Sequence, residues 1–133
     1  MDYIICSYTD YDKIKLNLLL KEVEFITKQG VFQIFEKDSK SALRFPHFLN
    51  LCQEFLNSHK PDFKFNRICI NKNTISEINN DSGNTLLVVL GGESILHLNK
   101  NVKINTQMQS FCFYGSKVFH LSKSFTGTIL VFF

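Results

Sequence analysis

The hydrophobic period of this chain changes near Phe63, and that change constrains the fold more than any other feature. Before it, apolar residues recur at helical spacing. After it, they alternate in eight short pieces separated by turns such as residues 80–83 and Gly91-Gly92. Helices followed by many closely spaced strands predict an α+β fold with a sandwich or barrel. A chain of 133 residues can bury a core as one domain (1–133), with helical support over 1–62 and strands over 63–133.

Two stretches of the N-terminal half have the apolar spacing of amphipathic helices. The first predicts a helix over 11–29, with Thr9 as N-cap and Gly30 just past its end. Its apolar face consists of Leu16, Leu19, Leu20, Val23 and Ile26. The second starts at Pro46 and ends before Pro61. Residues 3–6 and 31–35 are typical of strands, and 36–44 of a polar connection.

The charge pattern argues against nucleic acid as a partner. The net charge is only +3, and the basic residues are scattered. Four lysines lie in the first helix, at 13, 15, 21 and 28, with Glu22 and Glu24 among them, which indicates a solvated helix face. The 14 phenylalanines, with no tryptophan, predict a core packed by phenyl rings.

The cysteines and the N-terminus predict a reducing, cytoplasmic location without disulfides. Cys6, Cys52, Cys69 and Cys112 form no CxxC pair, and each lies among apolar residues, as expected of buried thiols. The first residues lack the basic region and long apolar run of a signal peptide. No stretch reaches the length of a membrane span.

No motif of nucleophilic or nucleotide chemistry is present: the chain has no GxSxG, P-loop or GxGxxG sequence. His47 and His59 lie near the ends of the second helix, where we expect surface or capping roles. His97 and His120 lie inside strand-like segments with apolar neighbours. Of the four histidines, His120 is the strongest candidate for a site because of the residues around it.

The segments INKN (70–73), TLLVVLGGESILHL (85–98), FYGSKVFH (113–120) and SFTGTILVFF (124–133) together resemble the core of the iron- and 2-oxoglutarate-dependent dioxygenases. The resemblance covers about residues 63–133. It implies a double-stranded β-helix (jelly-roll, cupin-like) of about eight strands, with the two N-terminal helices as support. It also implies an iron site of two histidines and one carboxylate, and an arginine on the last strand that anchors 2-oxoglutarate.

Matched by position, the resemblance implies that His120 is the distal histidine and the one retained metal ligand. The His-x-Asp pair should fall between Asn73 and Gly83, but that segment contains no histidine. Its nearest equivalents are Glu77 and Asn79, or Asp81 in a shifted loop. The last arginine of the chain is Arg67, so the anchor is missing, with Lys117 or Lys123 as possible substitutes.

These departures favour a degenerate dioxygenase-like protein that is not an enzyme. We expect a binding or scaffold protein that needs no cofactor and engages a protein partner or a second copy of itself. The first alternative is a divergent oxygenase that uses Fe(II) and 2-oxoglutarate, with His120, Glu77 or Asp81, and His97 as ligands. The second is a cupin-like protein that binds a small ligand in a cavity beside His97 and His120. The Asn-, Lys-, Ile- and Phe-rich usage is typical of an AT-rich genome, such as that of a virus or a bacterial parasite.

Overall fold

A computed structural model of the chain describes residues 3–28, 34–36, 40–72, 77–80, 83–91, 95–98, 102–105, 109–114, 117–120 and 128–133. Within these ranges it contains helices α1 (Asp10–Lys28), α2 (Lys40–Leu43) and α3 (Pro46–His59). The strands are β1 (Tyr3–Ser7), β2 (Ile34–Glu36), β3 (Arg67–Lys72), β4 (Glu77–Asn80), β5 (Thr85–Gly91), β6 (Ile95–Leu98), β7 (Val102–Asn105), β8 (Gln109–Phe113), β9 (Lys117–His120) and β10 (Thr128–Phe132).

The main sheet has six antiparallel strands in the order β1-β8-β5-β10-β3-β2. Two further antiparallel pairs, β4-β9 and β6-β7, form separate two-stranded sheets. From β3 onward the pairs are nested, because the first of these eight strands pairs with the last (β3·β10), the second with the seventh (β4·β9), and so inward to β5·β8 and β6·β7. The pairing β10·β5 then joins the outermost pair to the third.

Helices α1 and α3 pack against each other and over one face of the main sheet. Leu19, Val23 and Ile26 of α1 are fully buried there, as are Phe48 and Phe55 of α3. The sheet contributes alternate residues to the same core, which is what the period of two requires. These are Ile68, Ile70, Leu86, Val88, Cys112, Leu130 and Phe132.

The opposite face of the main sheet is buried as well. Leu87, Ile129 and Val131, which alternate with the helix-facing residues, are fully buried, and Phe111 is 3% exposed. All five residues of β10 are buried. A strand that is buried on both faces reads as a continuous apolar run, which explains the sequence ILVF in β10.

The α+β class, both long helices and all eight strands predicted after residue 63 are confirmed. Pro46 does stand in the first turn of α3. The polar connection predicted over 36–44 is wrong in part, because Glu36 ends β2 and Lys40–Leu43 forms a helical turn. Residues 31–33 of the predicted second strand lie outside the described residues.

The four cysteines are free thiols. Cys52, Cys69 and Cys112 are buried, as predicted, whereas Cys6 is only half-buried because β1 is an edge strand. Within the described residues, no helix has both the length and the apolar character that crossing a membrane requires.

We predict very different costs for two adjacent leucines of α1. Leu19→Ala should lower the free energy of unfolding by about 3–5 kcal/mol, because it opens a cavity in the core. Leu18→Ala, at a side chain that is 39% exposed, should cost only about 0.5 kcal/mol. Urea denaturation of the two variants measures the difference. Equal losses would contradict the orientation of α1.

Candidate functional site

The register of β4 and β9 brings two of the predicted site residues together along the backbone. Glu77 lies directly opposite His120, and Asn79 lies opposite Val118. His97 is on β6, opposite Lys103 of β7, and β6 is in contact with β9. Asp81 and Lys123 lie outside the described residues. Three predicted residues (Glu77, Asn79 and His120) therefore share one strand pair, and His97 belongs to a neighbouring pair.

A different group of polar side chains is buried between the helices and the main sheet. The imidazole of His59 lies between Asp12 of α1 and Ser110 of β8, with Nδ1 3.0 Å from Asp12 Oδ2 and Nε2 2.5 Å from Ser110 Oγ. The Ser58 hydroxyl donates to the other carboxylate oxygen at 2.7 Å. We call these four residues (Asp12, Ser58, His59 and Ser110) the polar clamp. It connects the start of α1, the end of α3 and strand β8 of the main sheet.

The start of α1 positions the carboxylate of Asp12. The Thr9 hydroxyl accepts a hydrogen bond from the Asp12 N–H at 3.1 Å, and the Thr9 N–H donates to Asp12 Oδ2 at 3.0 Å. This reciprocal pair is a capping box with Asp as its acidic member. The N-cap role predicted for Thr9 is thus confirmed. The box leaves Oδ1 for Ser58 and lets Oδ2 accept from His59 as well.

Two aromatic rings enclose the imidazole. Phe55, one turn earlier on α3, stacks on His59 with ring centroids 5.0 Å apart and an angle of 20° between the planes. The Tyr8 ring lies 5.0 Å from the imidazole on a tilted plane. The His59 side chain is 1% exposed, so the surface or capping role predicted for it from its place at the helix end is wrong. The prediction for His47 holds, since that side chain is 70% exposed, beside Glu22.

Hydrogen bonds to Asp12 determine its pKa in the polar clamp and the position of the hydrogen on His59. Burial alone would raise the pKa of Asp12, but hydrogen bonds from the Thr9 N–H, the Ser58 hydroxyl and His59 outweigh it and lower that pKa. Because an ionised carboxylate only accepts, Nδ1 of His59 carries a hydrogen toward Asp12. In a neutral ring Nε2 then accepts from Ser110. Burial, followed by the charge of Asp12, raises the pKa of Tyr8 well above its usual value.

The connectivity Ser110–His59–Asp12 is that of a Ser–His–Asp triad, but its enclosure is incompatible with nucleophilic catalysis. The Ser110 residue is fully buried, and the side chains of His59 and Asp12 are 1% exposed. A nucleophile must reach a substrate carbonyl, and in the part of the chain that the structure describes Ser110 has no exposed surface from which to do so. The clamp therefore positions secondary structure.

A surface cleft of about 270 Å³ lies at the end of α3, one residue beyond the clamp. Its lining consists of Lys60, Asp62, Phe63, Lys64, Asn84, Cys112 and Tyr114. The Lys60 ammonium is bound by the Asp62 carboxylate at 3.2 Å. Burial raises the pKa of the Cys112 thiol, which makes it a poor nucleophile. The cleft is small for a ligand pocket. Among the described residues, no group of acids, histidines and cysteines is arranged to hold a metal ion.

Among the described helices, the large apolar side chains that are exposed lie on the outer face of α1, apart from Leu43 of α2. Tyr11, Ile14, Leu18 and Phe25 are 49%, 58%, 39% and 54% exposed. The solvated face predicted from the four lysines is thus wrong in part. Lys21 and Lys28 are exposed, whereas Lys15 is held against Glu54 of α3. The spacing of three, four and seven residues in the sequence is the signal that could have revealed this row.

No protein-family model matches the chain, and a search of curated proteins found no match either.

We predict that Ser110→Ala lowers the free energy of unfolding by about 1–3 kcal/mol, because it leaves the buried Nε2 of His59 without its partner. Ser58→Ala is the matched control. Ser58 is exposed, so water can replace its hydroxyl, and we expect a loss below about 1 kcal/mol. Urea denaturation distinguishes the two. Equal losses in the free energy of unfolding for the two variants would show that the burial of Ser110 does not strengthen its contribution to stability.

The lowered pKa of Asp12 predicts a pH dependence of stability. A carboxyl group whose pKa is lower in the folded state contributes its full stabilisation above its unfolded pKa, about 3.9. That contribution is lost as the pH falls through the lower, folded-state pKa. We expect the free energy of unfolding to fall more steeply below about pH 4 in the wild type than in Asp12→Asn, which cannot titrate there. Parallel slopes between pH 5 and 2 would contradict the prediction.

Proposed function

We propose that this chain is a non-catalytic binding or scaffold protein that acts through protein–protein contact or self-association. The observation that carries the proposal is the exposed apolar row of α1, formed by Tyr11, Ile14, Leu18 and Phe25. Single exposed apolar residues are ordinary, but four in one row along the same helix are more than chance exposure explains. The opposite side of the same helix supplies the core, so the outer row is not needed for folding.

We further propose that the strands after residue 66 form a double-stranded β-helix of the jelly-roll kind. The nested pairing of β3 to β10 supports it, because a long antiparallel ribbon of eight strands pairs its members in that order. The additional pairing β10·β5 is what results when the ribbon folds back on itself. The burial of the second sheet face supports it too, since β4-β9 and β6-β7 are the strand pairs left to cover that face.

The metal and cosubstrate positions support loss of catalysis. The strand opposite His120 offers a glutamate, Glu77, where the family resemblance implies a histidine. An acid in place of an imidazole changes both the ligand type and the metal that a site prefers. The last arginine of the sequence, Arg67, is on β3 and forms an ion pair with Glu36 at 3.2 Å. The final strand itself contains only apolar residues after Thr128.

The runner-up function is a divergent Fe(II)- and 2-oxoglutarate-dependent oxygenase. One observation favours it: the register sets Glu77 opposite His120, and the strand of His97 contacts that of His120. One carboxylate and two imidazoles would complete the ligand chemistry of a facial triad. An anchor for the cosubstrate is the part that this alternative still needs.

Metal analysis distinguishes the two functions. We predict less than about 0.1 iron per chain in protein purified without chelator, and no change in Tm when Fe(II) or Mn(II) and millimolar 2-oxoglutarate are added without oxygen. His120→Ala is the matched variant and should leave both results unchanged. Stoichiometric metal that disappears in His120→Ala would overturn the proposed function and establish the oxygenase.

A further inference from the structure

The exposed row of α1 has the spacing of a coiled-coil seam. Tyr11, Leu18 and Phe25 recur every seven residues, and Ile14 follows Tyr11 by three, so they occupy the a and d positions of a heptad. Lys21 stands at the second d position. The row spans about 21 Å at 1.5 Å per residue. The buried residues Leu16, Leu19, Val23 and Ile26 lie at the b and f positions, on the opposite side.

We propose that this row binds the α1 helix of a second copy of the chain, in an antiparallel pair about a two-fold axis. The inference rests on the proposed function and names its partner. A heptad seam is complementary to itself, which is what an isologous two-fold interface requires. The charges at the two ends of the seam agree. Asp10 in the first turn of α1 and Lys28 in its last turn are both exposed, and the antiparallel pair places Asp10 of each copy beside Lys28 of the other.

Lys21 decides the orientation. In a parallel pair the two Lys21 ammonium groups would meet inside the seam, where two like charges lose water without compensation. In an antiparallel pair Lys21 lies opposite Leu18 of the second copy. Its methylene stem can cover that leucine while the ammonium reaches solvent. The same alignment sets Ile14 against Phe25 of the second copy, at both ends of the interface.

The size of the seam sets the expected affinity. A single pair of helices of this length buries an area at the low end of specific interfaces. We therefore expect a reversible dimer with a micromolar dissociation constant. The charges of both signs along the seam argue against a membrane surface as the partner, because a membrane-binding helix typically has a strongly basic border.

Sedimentation equilibrium of the full chain tests the dimer. The wild type should be dimeric at 100 μM, and Leu18→Lys should weaken the association at least tenfold, because it places a second ammonium group opposite Lys21 at the centre of the seam. Leu43→Lys is the matched control: it replaces a leucine that is more exposed (65%) but lies on α2, and it should leave the dimer unchanged. Circular dichroism checks that both variants are folded. A wild type that stays monomeric, or a dimer that is insensitive to Leu18→Lys, would overturn the inference.

Cross-linking tests the orientation. Asp10→Cys and Lys28→Cys, at the two ends of α1, are each made in a Cys6→Ser background, because the other three cysteines are buried. With a short bis-maleimide, a mixture of the two variants should give cross-linked dimer and each variant alone should not. Cross-linking of each variant alone would indicate a parallel pair. A dimer that yields no cross-link in the mixture would exclude α1 as the interface.

The two proposals fail separately. If the wild type is monomeric and contains no stoichiometric iron, the proposed dimer is wrong. The proposed non-catalytic binding function then stands, with a different protein as the partner. A dimer that contains iron removable by His120→Ala overturns the proposed function, and leaves the α1 interface in place.

Discussion

A buried carboxylate must be surrounded by hydrogen-bond donors, and this requirement connects both long helices to the main sheet. Asp12 accepts hydrogen bonds from the backbone of Thr9, from Ser58 and from His59, and His59 in turn contacts Ser110 in the sheet. Without these donors an ionised aspartate in this place would be strongly destabilising. The capping box aligns the carboxylate, the end of α3 supplies the imidazole, and the sheet supplies the last hydroxyl. The orientation of α1 on the sheet depends on this set of contacts.

The orientation of α1 determines which of its apolar residues reach the core. Once Asp12 is held against α3, Leu19 and Val23 face inward, and Leu18 and Phe25 face outward. The helix has more apolar residues than one face can hold. The surplus forms the surface on which the proposed function depends. In the proposed function, this triad-like group that is closed to solvent acts only indirectly, because it helps to determine which side of α1 is exposed.

Most of the secondary structure could be predicted, because it depends on local periodicity. The change of period near Phe63 separated helices from strands, and Pro46 marked the start of α3. The polar clamp could not be predicted, because its members come from positions 12, 58, 59 and 110. The residues next to His59 in the sequence do not show whether its side chain is exposed at the end of the helix or buried beneath Tyr8. The contact depends on which helix end meets which strand.

By itself the sequence determined the α+β class, the two long helices, the eight strands after residue 63 and the reduced state of the cysteines, because each depends on neighbours along the chain or on spacing. Only the tertiary structure decided the nested strand order, the register that sets Glu77 opposite His120, and the burial of His59. It also decided that one apolar stripe of α1 enters the core while the other stays outside. All of these features depend on contacts between segments that are distant in the sequence, and such contacts stabilise the fold only once the helices pack on the sheet.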